Sequence, residues 1–332
     1  MLILRRTDVE GVLDKDPDSV LETVRRAYVA HARGQTSVPH SVFLRFPGNT
    51  RDRIIALPAY VGGERPVAAV KWIASFPANI DAGVERASAV IVLSSVTDGR
   101  PRAVLEGAVI SARRTAAGAV LAAEELTVGA PETVRSGMSF VGCGVINFEV
   151  LRFARHRLPR LREVAVFDLD PARAEAFAER ARGQWPEMTV TICEDVERAM
   201  ASHRLVSLAT TAGEPHLTTE ACRPGTVVLH VSLRDLTVES ILAARNVVDD
   251  VDHVCRAATS LDLAARATGN RDFVHAEIGA LLDGTTRLPY DEDAVTVFSP
   301  FGLGCLDAAL AAYTLDEAVG RGLGIDIPDF VD

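Results

Sequence analysis

The sequence has 332 residues, of which 48% are hydrophobic and 24% are charged, and this composition excludes disordered, collagen-like and fibrous proteins. The formal net charge is −10 at pH 7, so the chain lacks the broad positive surface that binds nucleic acid or an anionic membrane. Of the 35 basic residues only Lys15 and Lys71 are lysines, so nearly every fixed positive charge is an arginine.

Targeting segments, disulfides and metal motifs are not apparent in the sequence. Met1 to Leu4 is followed directly by Arg5, which leaves no apolar signal segment, and no apolar stretch approaches the roughly 20 residues that span a bilayer. The five cysteines include no C-x-x-C pair, and the histidines show no metal-binding spacing. We therefore expect a cytoplasmic protein with reduced thiols and no metal site.

The first 125 residues predict a domain that mixes helices and strands. Residues 18–32 have helical periodicity, and residues 43–46, 53–57, 67–73 and 87–93 are apolar runs separated by turn residues. Consecutive strands of this kind favour an antiparallel or mixed sheet. A helix is expected from about residue 103 to residue 126.

The region from residue 136 to residue 300 alternates short β-branched runs with amphipathic helical runs, which is typical of βαβ units. Strands are expected at residues 138–141, 164–167, 188–193, 205–208, 227–231 and 246–248, and a last helix at 307–319 that packs back on the N-terminal half. The fold class is thus α/β, with a Rossmann-type parallel sheet domain over residues 126–299. Residues 1–125 with 300–332 form the second, α+β domain.

A glycine turn follows the first of these parallel strands. Gly142 and Gly144 form a G-x-G turn that opens a helix, Asn147 replaces the third glycine of the dinucleotide fingerprint, and Asp168 ends the next strand. Such a turn brings backbone N–H groups to a pyrophosphate, and the carboxylate accepts hydrogen bonds from the ribose and repels a 2′-phosphate. The pattern favours NAD; the alternative is a structural turn with an exposed aspartate.

Lys71 lies inside an apolar strand, where burial lowers the pKa of an amine. A lysine can then move a proton, which arginine cannot do, although the side chain could instead extend to solvent. Arg113 and Arg114 lie among small residues on the following helix and could capture a carboxylate or remain solvated. Asp235, after a later strand, could be a general base or a helix N-cap.

Together, these residues resemble the ornithine cyclodeaminase and mu-crystallin family. The resemblance rests on Lys71, the Arg114–Ala117 run on the following helix, the G-x-G loop and Asp235. Residues 53–60, 71–77, 86–93 and 298–304 are similar to the branch of that family that serves 2,3-diaminopropionate biosynthesis.

The resemblance implies a homodimeric enzyme whose second domain binds substrate and forms the dimer. Its reaction is the NAD-dependent oxidative cleavage of N-(2-amino-2-carboxyethyl)-L-glutamate, a small anionic substrate, to L-2,3-diaminopropionate and 2-oxoglutarate, for a siderophore or peptide natural product. Lys71 and Asp235 are implied as catalytic residues, and Arg45 and Arg114 as carboxylate ligands. The implied cofactor-lining residues are Ser88, Thr115, Gly142, Gly144, Asn147, Asp168, Thr210 and Ser299.

One departure from the family pattern affects the choice of substrate. Ornithine cyclodeaminases place an acidic residue in the strand that holds residues 54–57 here, and all four of these residues are apolar. Cyclisation of ornithine is therefore disfavoured. The alternatives are a cyclodeaminase, another amino-acid or imine dehydrogenase of the family, or a mu-crystallin-like protein that binds NAD(P) without turnover.

Overall fold

The computed structural model describes residues 1–330, apart from the side chains of Thr50 and Asp81. The strands are β1 (Leu2–Leu4), β2 (Thr36–Ser37), β3 (Val42–Phe46), β4 (Asn49–Val61), β5 (Val67–Ser75), β6 (Ala87–Ser94), β7 (Pro101–Glu106), β8 (Gly137–Val141), β9 (Glu163–Phe167), β10 (Thr189–Ile192), β11 (Leu205–Leu208), β12 (Val227–His230), β13 (Arg245–Val248), β14 (Val274–Glu277), β15 (Thr296–Ser299) and β16 (Ile325–Asp326). The helices are α1 (Arg6–Leu13), α2 (Pro17–Ala32), α3 (Ala108–Leu126), α4 (Val145–Arg157), α5 (Pro171–Gln184), α6 (Val196–Ser202), α7 (Val238–Ala243), α8 (Val251–Val254), α9 (Ser260–Thr268), α10 (Ile278–Leu282) and α11 (Gly304–Gly320). Two short 3-10 helices cover Pro77–Ala82 and Glu132–Arg135.

The chain divides into two units, residues 1–114 with 302–332 and residues 115–301, and the division falls within α3. The first unit contains a mixed sheet with strand order β16-β1-β7-β6-β5-β4-β2, to which β3 adds on β4. The strands β3 to β7 are antiparallel to their neighbours, whereas β1 pairs with β7 in parallel. The last two residues of the predicted range 300–332 lie outside the described residues.

One face of this mixed sheet is covered by helices. Side chains alternate between the two faces of a strand, so Leu57, Lys71 and Ile91, which are register partners, point to the same side. Helix α11 packs on β4, β5 and β6 and on α2, which confirms that the last helix returns to the N-terminal half. We call this covered side the inner face and the opposite side the outer face.

The second unit is the predicted Rossmann-type sheet, with strand order β10-β9-β8-β11-β12-β15-β13-β14 and parallel pairing throughout the described strands. Strands β8, β11, β12 and β15 are buried at every residue. Burial on both faces explains why these strands read as continuous β-branched runs in the sequence. The predicted α/β fold class is confirmed.

Three features differ from the sequence expectations. The helix expected from about residue 103 begins at Ala108, because residues 101–106 pair as β7 with β6 and β1. Glu106 then accepts hydrogen bonds from the N–H groups of Ala108 and Val109, at 2.8 and 3.0 Å, and so starts the helix. Strands β14 and β15 were not expected, and Ser299 is the buried last residue of β15.

Candidate active site

Lys71 lies on the inner face of β5, and its side chain is buried, with 2% exposed. Its Nζ donates to Asp307 Oδ2 at 2.6 Å and to Ser111 Oγ at 3.2 Å. Asp307 comes from α11, which packs on the same face, and Ser111 comes from the first turn of α3. The amine thus has no route to bulk water, and the alternative of a lysine that extends to solvent is wrong.

Arg114 contacts the same aspartate from the other side. Its Nε donates to Asp307 Oδ1 at 3.1 Å, so the Asp307 carboxylate bridges Arg114 and Lys71. The Arg114 guanidinium also lies against Gly302, where an added Cβ would be 2.7 Å from Nη1 and where φ is +93°. Only glycine fits at that position without moving Arg114, so the chain itself fixes the position of this guanidinium.

Burial lowers the pKa of Lys71 to about 8; Asp307 raises it in opposition, and Arg114 lowers it further. Roughly a tenth of the amine is therefore neutral at pH 7, and the neutral form predominates above pH 8. A group that changes its charge near neutral pH is suited to accept or return a proton.

The sequence did not reveal Asp307, which links the other two residues of this cluster. It is 236 positions away from Lys71 in the chain and has 2% of its surface exposed. One signal was available: a single carboxylate in the run from Gly304 to Leu315, where every other residue is apolar, small or uncharged. A charged residue in such a run is rarely buried unless it is paired.

The other predicted residues of the first unit and of α3 lie outside the cluster of Lys71, Arg114 and Asp307. Arg113 points away from Lys71 and pairs with Asp14 at 2.7 Å. Arg45 is exposed on β3, opposite Arg53 of β4. Thr115, half-buried, follows Arg114 on α3, whereas Ser88 is exposed and lies on the outer face, the side opposite Lys71. Of the predicted substrate ligands, only Arg114 joins the Lys71 cluster directly.

In the second unit, the G-x-G loop lies between β8 and α4. Gly142 has φ +89°, and a Cβ there would be 2.5 Å from the carbonyl oxygen of Ala209, so glycine is required. Gly144 is the N-cap of α4 and provides no side-chain cap, which leaves the first N–H groups of the helix available to a phosphate. The loop therefore fits the pyrophosphate of a dinucleotide.

Asn147 lies behind this loop and is fully buried. Its side-chain amide donates to the carbonyl oxygens of Val141 and Gly142, at 2.9 and 2.7 Å, and its Oδ1 accepts from Ser207 Oγ at 2.7 Å. The residue that replaces the third glycine thus ties the loop to β8 and β11. Its burial favours support of the loop over the direct cofactor contact that we expected.

Asp168 follows β9 and lies beside the loop. Its Oδ2 accepts the N–H of Cys143 at 2.7 Å, and its Oδ1 accepts the N–H of Asp170 at 3.0 Å. The guanidinium of Arg173 approaches to 3.7 Å. The predicted position of the carboxylate, next to the glycine loop and at the end of the second strand, is the one from which a ribose is bound.

Asp235 is the centre of a buried network. Thr210 Oγ1 donates to Asp235 Oδ1 and Ser232 Oγ donates to Oδ2, while His230 Nε2 lies 3.3 Å from Oδ2. His230 Nδ1 in turn contacts Ser299 Oγ at 3.1 Å. Burial raises the pKa of Asp235, but the interaction with His230 and the hydrogen bonds from Ser232 and Thr210 outweigh burial and hold the pKa below its ordinary value. Three predicted residues, Thr210, Asp235 and Ser299, therefore lie together around an ionised carboxylate.

The described residues contain neither a membrane-spanning helix nor a metal-binding cluster. None of their helices combines the length and the hydropathy needed to cross a membrane. Within residues 1–330 no group of three His, Cys, Asp or Glu side chains is arranged to hold a metal ion.

A model of the ornithine cyclodeaminase/mu-crystallin family matches residues 1–322 of the chain. The protein belongs to this family. It is 28% identical to N-((2S)-2-amino-2-carboxyethyl)-L-glutamate dehydrogenase of Staphylococcus aureus, with 98% of this chain and 97% of that protein covered.

Two solved structures of the same kind are similar over nearly the whole chain. The Δ1-pyrroline-2-carboxylate reductase of Thermococcus litoralis, in complex with NADH and L-proline, has 25% identity and a TM-score of 0.90, with 98% of this chain and 100% of that chain covered. An archaeal alanine dehydrogenase dimer with bound NAD has 26% identity and a TM-score of 0.87, with 99% of each chain covered.

Membership in the ornithine cyclodeaminase/mu-crystallin family confirms the resemblance read from Lys71, Arg114 and the glycine loop. The predicted enzyme class is also confirmed, because dehydrogenases and reductases of amino acids and imines match over nearly the full chain. The chain is an NAD-dependent oxidoreductase that acts on a C–N bond.

Proposed function

We propose that this chain oxidises N-(2-amino-2-carboxyethyl)-L-glutamate with NAD and releases L-2,3-diaminopropionate and 2-oxoglutarate. The reaction removes a hydride from the glutamate α-carbon and a proton from the secondary amine, which leaves an imine. Water adds to the imine carbon, and the C–N bond then breaks to give the keto acid and the amine. The product diaminopropionate would serve a siderophore or a peptide natural product.

The observation that carries this proposal is the charge of the inner face around Lys71. In β4 the inner-face neighbours are Ile55 and Leu57, and no acid lies at the inner-face positions of β4, β5 or β6. The acid in the cluster, Asp307, is already bound by Lys71 and Arg114. Ornithine carries one carboxylate for its two amino groups, whereas the proposed substrate carries three carboxylates for its two amino groups. The proposed substrate is therefore better matched to the arginines.

Lys71 is proposed as the group that takes the proton from the substrate amine. A secondary amine can lose hydride from its α-carbon only when the nitrogen lone pair is free, so the ammonium form must first be deprotonated. An amine whose pKa is about 8 can accept that proton near neutral pH, whereas an arginine in its place would stay charged.

Arg114 is proposed to hold the α-carboxylate next to the reacting carbon. Its Nε is occupied by Asp307, and this bond and the packing against Gly302 fix the guanidinium plane. The Nη groups that remain can donate to a carboxylate in the planar, two-point geometry that arginine prefers. Asp307 thereby positions both the base and the carboxylate ligand.

Asp235 is proposed to act on the water that adds to the imine. Its carboxylate is ionised, as a base must be, but both oxygens accept hydrogen bonds from hydroxyl groups of Thr210 and Ser232. One of these hydroxyls must turn away before Asp235 can accept a proton from water. Asp235 is thus proposed as a base that becomes available only when its network opens.

NAD, when bound, accepts the hydride from the substrate carbon. The G-x-G loop and the open N-terminus of α4 are proposed to hold its pyrophosphate, and Asp168 the adenosine ribose. Asn147 keeps the loop in place from behind. The roles of Ser88, Thr115, Thr210 and Ser299 as cofactor contacts remain predictions.

A homodimer is proposed through the outer face of the mixed sheet. Trp72, Val42, Leu44 and Tyr60 are exposed on that face, with 43% of Trp72 accessible. An apolar patch of this kind marks an interaction surface, and a second copy of the chain is the proposed occupant. Trp72→Glu should convert a dimer to a monomer in analytical ultracentrifugation; an unchanged mass would contradict this interface.

The proposed reaction is tested by mixing the protein with NAD and the aminocarboxyethyl-glutamate and following the absorbance of NADH. Formation of 2-oxoglutarate and diaminopropionate in equal amounts with NADH is the expected result. Conversion of ornithine to proline without net NADH would instead indicate a cyclodeaminase. Cofactor binding with neither product would indicate a protein that binds NAD without turnover.

A further inference from the structure

A row of unpaired polar groups crosses the inner face of the mixed sheet at a distance from the Lys71 cluster. Arg45 of β3 pairs in register with Arg53 of β4, which pairs with Ser75 of β5. Directly opposite residues of neighbouring strands point to the same face, so these three side chains lie side by side. They share that face with Lys71, because Ser75 lies four residues further along β5.

None of the three side chains has a polar partner among the described residues. Arg53 is half-buried and its Nε is buried without a hydrogen bond, and the buried hydroxyl of Ser75 is also unpaired. Arg45 contacts the ring of Phe43, at 5.8 Å from its centroid. Buried donors are normally satisfied, and two such groups next to each other indicate that an acceptor from outside the chain completes the row.

The charge of the row specifies that acceptor. Two guanidinium groups face each other directly across β3 and β4 with no carboxylate between them, an arrangement that destabilises an empty sheet. Burial lowers the pKa of Arg53, and the charge of Arg45 lowers it further. An anion between the two arginines would relieve both effects, and the Ser75 hydroxyl would give it a third donor.

Helix α11 packs on the part of the inner face between Lys71 and the β4–β5 turn, and not on the part that holds Arg53 and Ser75. The helix begins at Gly304, which lies against the backbone of Leu57 and Pro58. It continues towards Asp316, which pairs with Arg65 in the β4–β5 turn. The helix therefore runs away from Arg53. The inner-face row that separates Lys71 from Arg53 and Ser75 contains the half-buried residues Ile55, Ile73 and Ala89.

We propose that Arg45, Arg53 and Ser75 form a second carboxylate site, which takes the γ-carboxylate at the far end of the substrate's glutamate chain. This inference rests on the proposed function for the identity of the ligand. Four residues of strand separate Lys71 from Ser75, about 13 Å between Cα atoms at the usual rise, and the long side chains of the arginines shorten that interval. The apolar row between them contacts the methylene groups of the chain.

Arg53 would then give the protein its preference for a ligand with a distal carboxylate. Measuring the binding of the keto-acid product tests this preference without turnover. Calorimetry with NAD present compares 2-oxoglutarate with 2-oxopentanoate, which has the same chain length and no distal carboxylate. A charge-assisted hydrogen bond contributes enough for wild-type protein to bind 2-oxoglutarate about 10- to 100-fold more tightly. Arg53→Met should abolish this preference and leave the affinity for 2-oxopentanoate unchanged, and Ser75→Ala should reduce it by a smaller factor.

Arg65→Met is the matched control, because it removes one arginine from the same unit at an exposed position whose side chain is 85% accessible. It should retain the wild-type preference. The proposal is overturned if Arg53→Met retains the preference, or if it weakens both ligands equally, since that would indicate a structural role only. A chain that fails to oxidise the aminocarboxyethyl-glutamate but shows the Arg53-dependent preference would refute the proposed reaction and leave the carboxylate site standing.

Discussion

Lys71→Met should abolish turnover without lowering the stability of the protein at neutral pH. Methionine has a similar length and needs no hydration, and Asp307 keeps its bond to Arg114 Nε at 3.1 Å. General acid–base catalysis typically contributes a factor of about 100 to 10,000. The rate of NADH formation should therefore fall at least about 100-fold. The affinity for NAD serves as the control for folding, because it should not change.

The stability effect follows from the pKa of Lys71, which burial lowers from 10.5 to about 8. Burial of the charged amine therefore costs about 3 to 4 kcal/mol of folding free energy at any pH where both states are protonated, since each pKa unit corresponds to about 1.4 kcal/mol. Between pH 8 and 10.5 the unfolded chain binds a proton that the folded chain does not, so stability rises with pH. Above 10.5 the amine is neutral in both states and the cost is absent.

The measurement is the difference in the free energy of unfolding between wild type and Lys71→Met, from denaturant titrations at several pH values. Other titrating groups cancel in this difference. At pH 7 methionine removes the cost of the buried ammonium and so raises the free energy of unfolding. The loss of one hydrogen-bond donor to Asp307 lowers it again by about 1 to 3 kcal/mol. The decisive result is the change with pH: wild type should gain about 3 kcal/mol on the variant between pH 7.5 and 10.5. A difference that stays constant across this window would refute the assignment of a lowered pKa to Lys71.

Three other predictions concern the same sites. Asp307→Asn removes the carboxylate that raises the pKa of Lys71, so the rise of kcat/KM with pH should move to lower pH, and an unmoved inflection would argue against their coupling. Asn147→Ala breaks the hydrogen bonds to Val141 and Gly142, each of which contributes about 1 kcal/mol. This variant should bind NADH about tenfold more weakly in a fluorescence titration. Ser139→Ala, which removes a buried hydroxyl without a partner, should leave NADH binding unchanged. Asp168→Ser removes the carboxylate that repels a 2′-phosphate and leaves Arg173 in place, so the ratio of kcat/KM for NAD to that for NADP should fall more than about tenfold; a retained ratio would show that Asp168 does not select the cofactor.

Six of the eight strands of the Rossmann-type unit could be predicted close to their boundaries, whereas β14 and β15 were not expected. Strands β8, β11 and β12 are buried on both faces, so they appear in the sequence as short continuous apolar runs. The start of α3 was harder, because Val104 and Leu105 fit a helix as well as a strand. Only their pairing with β6 and β1 decides between the two, and that pairing depends on residues far away in the sequence.

The residues of the candidate site also divide into those that the sequence pattern reveals and those that only contacts between distant parts of the chain reveal. Lys71 and Arg114 stand out because a charged residue in an apolar or small-residue run is unusual wherever it occurs. Asp307 is equally unusual in α11. Its role, however, depends on its contact with Lys71, which is 236 positions away, and the periodicity of the sequence does not predict such a contact. Arg53 was not singled out, because the face on which it lies depends on the exact register of β4 and β5. A shift of one residue would move it to the outer face.

The chain has arginine at nearly every basic position, and the lysine at position 71 has a physical reason. Two cations, Lys71 and Arg114, share the single carboxylate of Asp307, so the buried cluster carries one excess positive charge when Lys71 is protonated. In the proposed mechanism a carboxylate of the substrate balances that charge, so binding favours the protonated state that Lys71 reaches when it takes the proton of the substrate amine. Transfer of the substrate's ammonium proton and capture of its carboxylate must therefore be coupled, which an always-charged arginine at position 71 could not achieve.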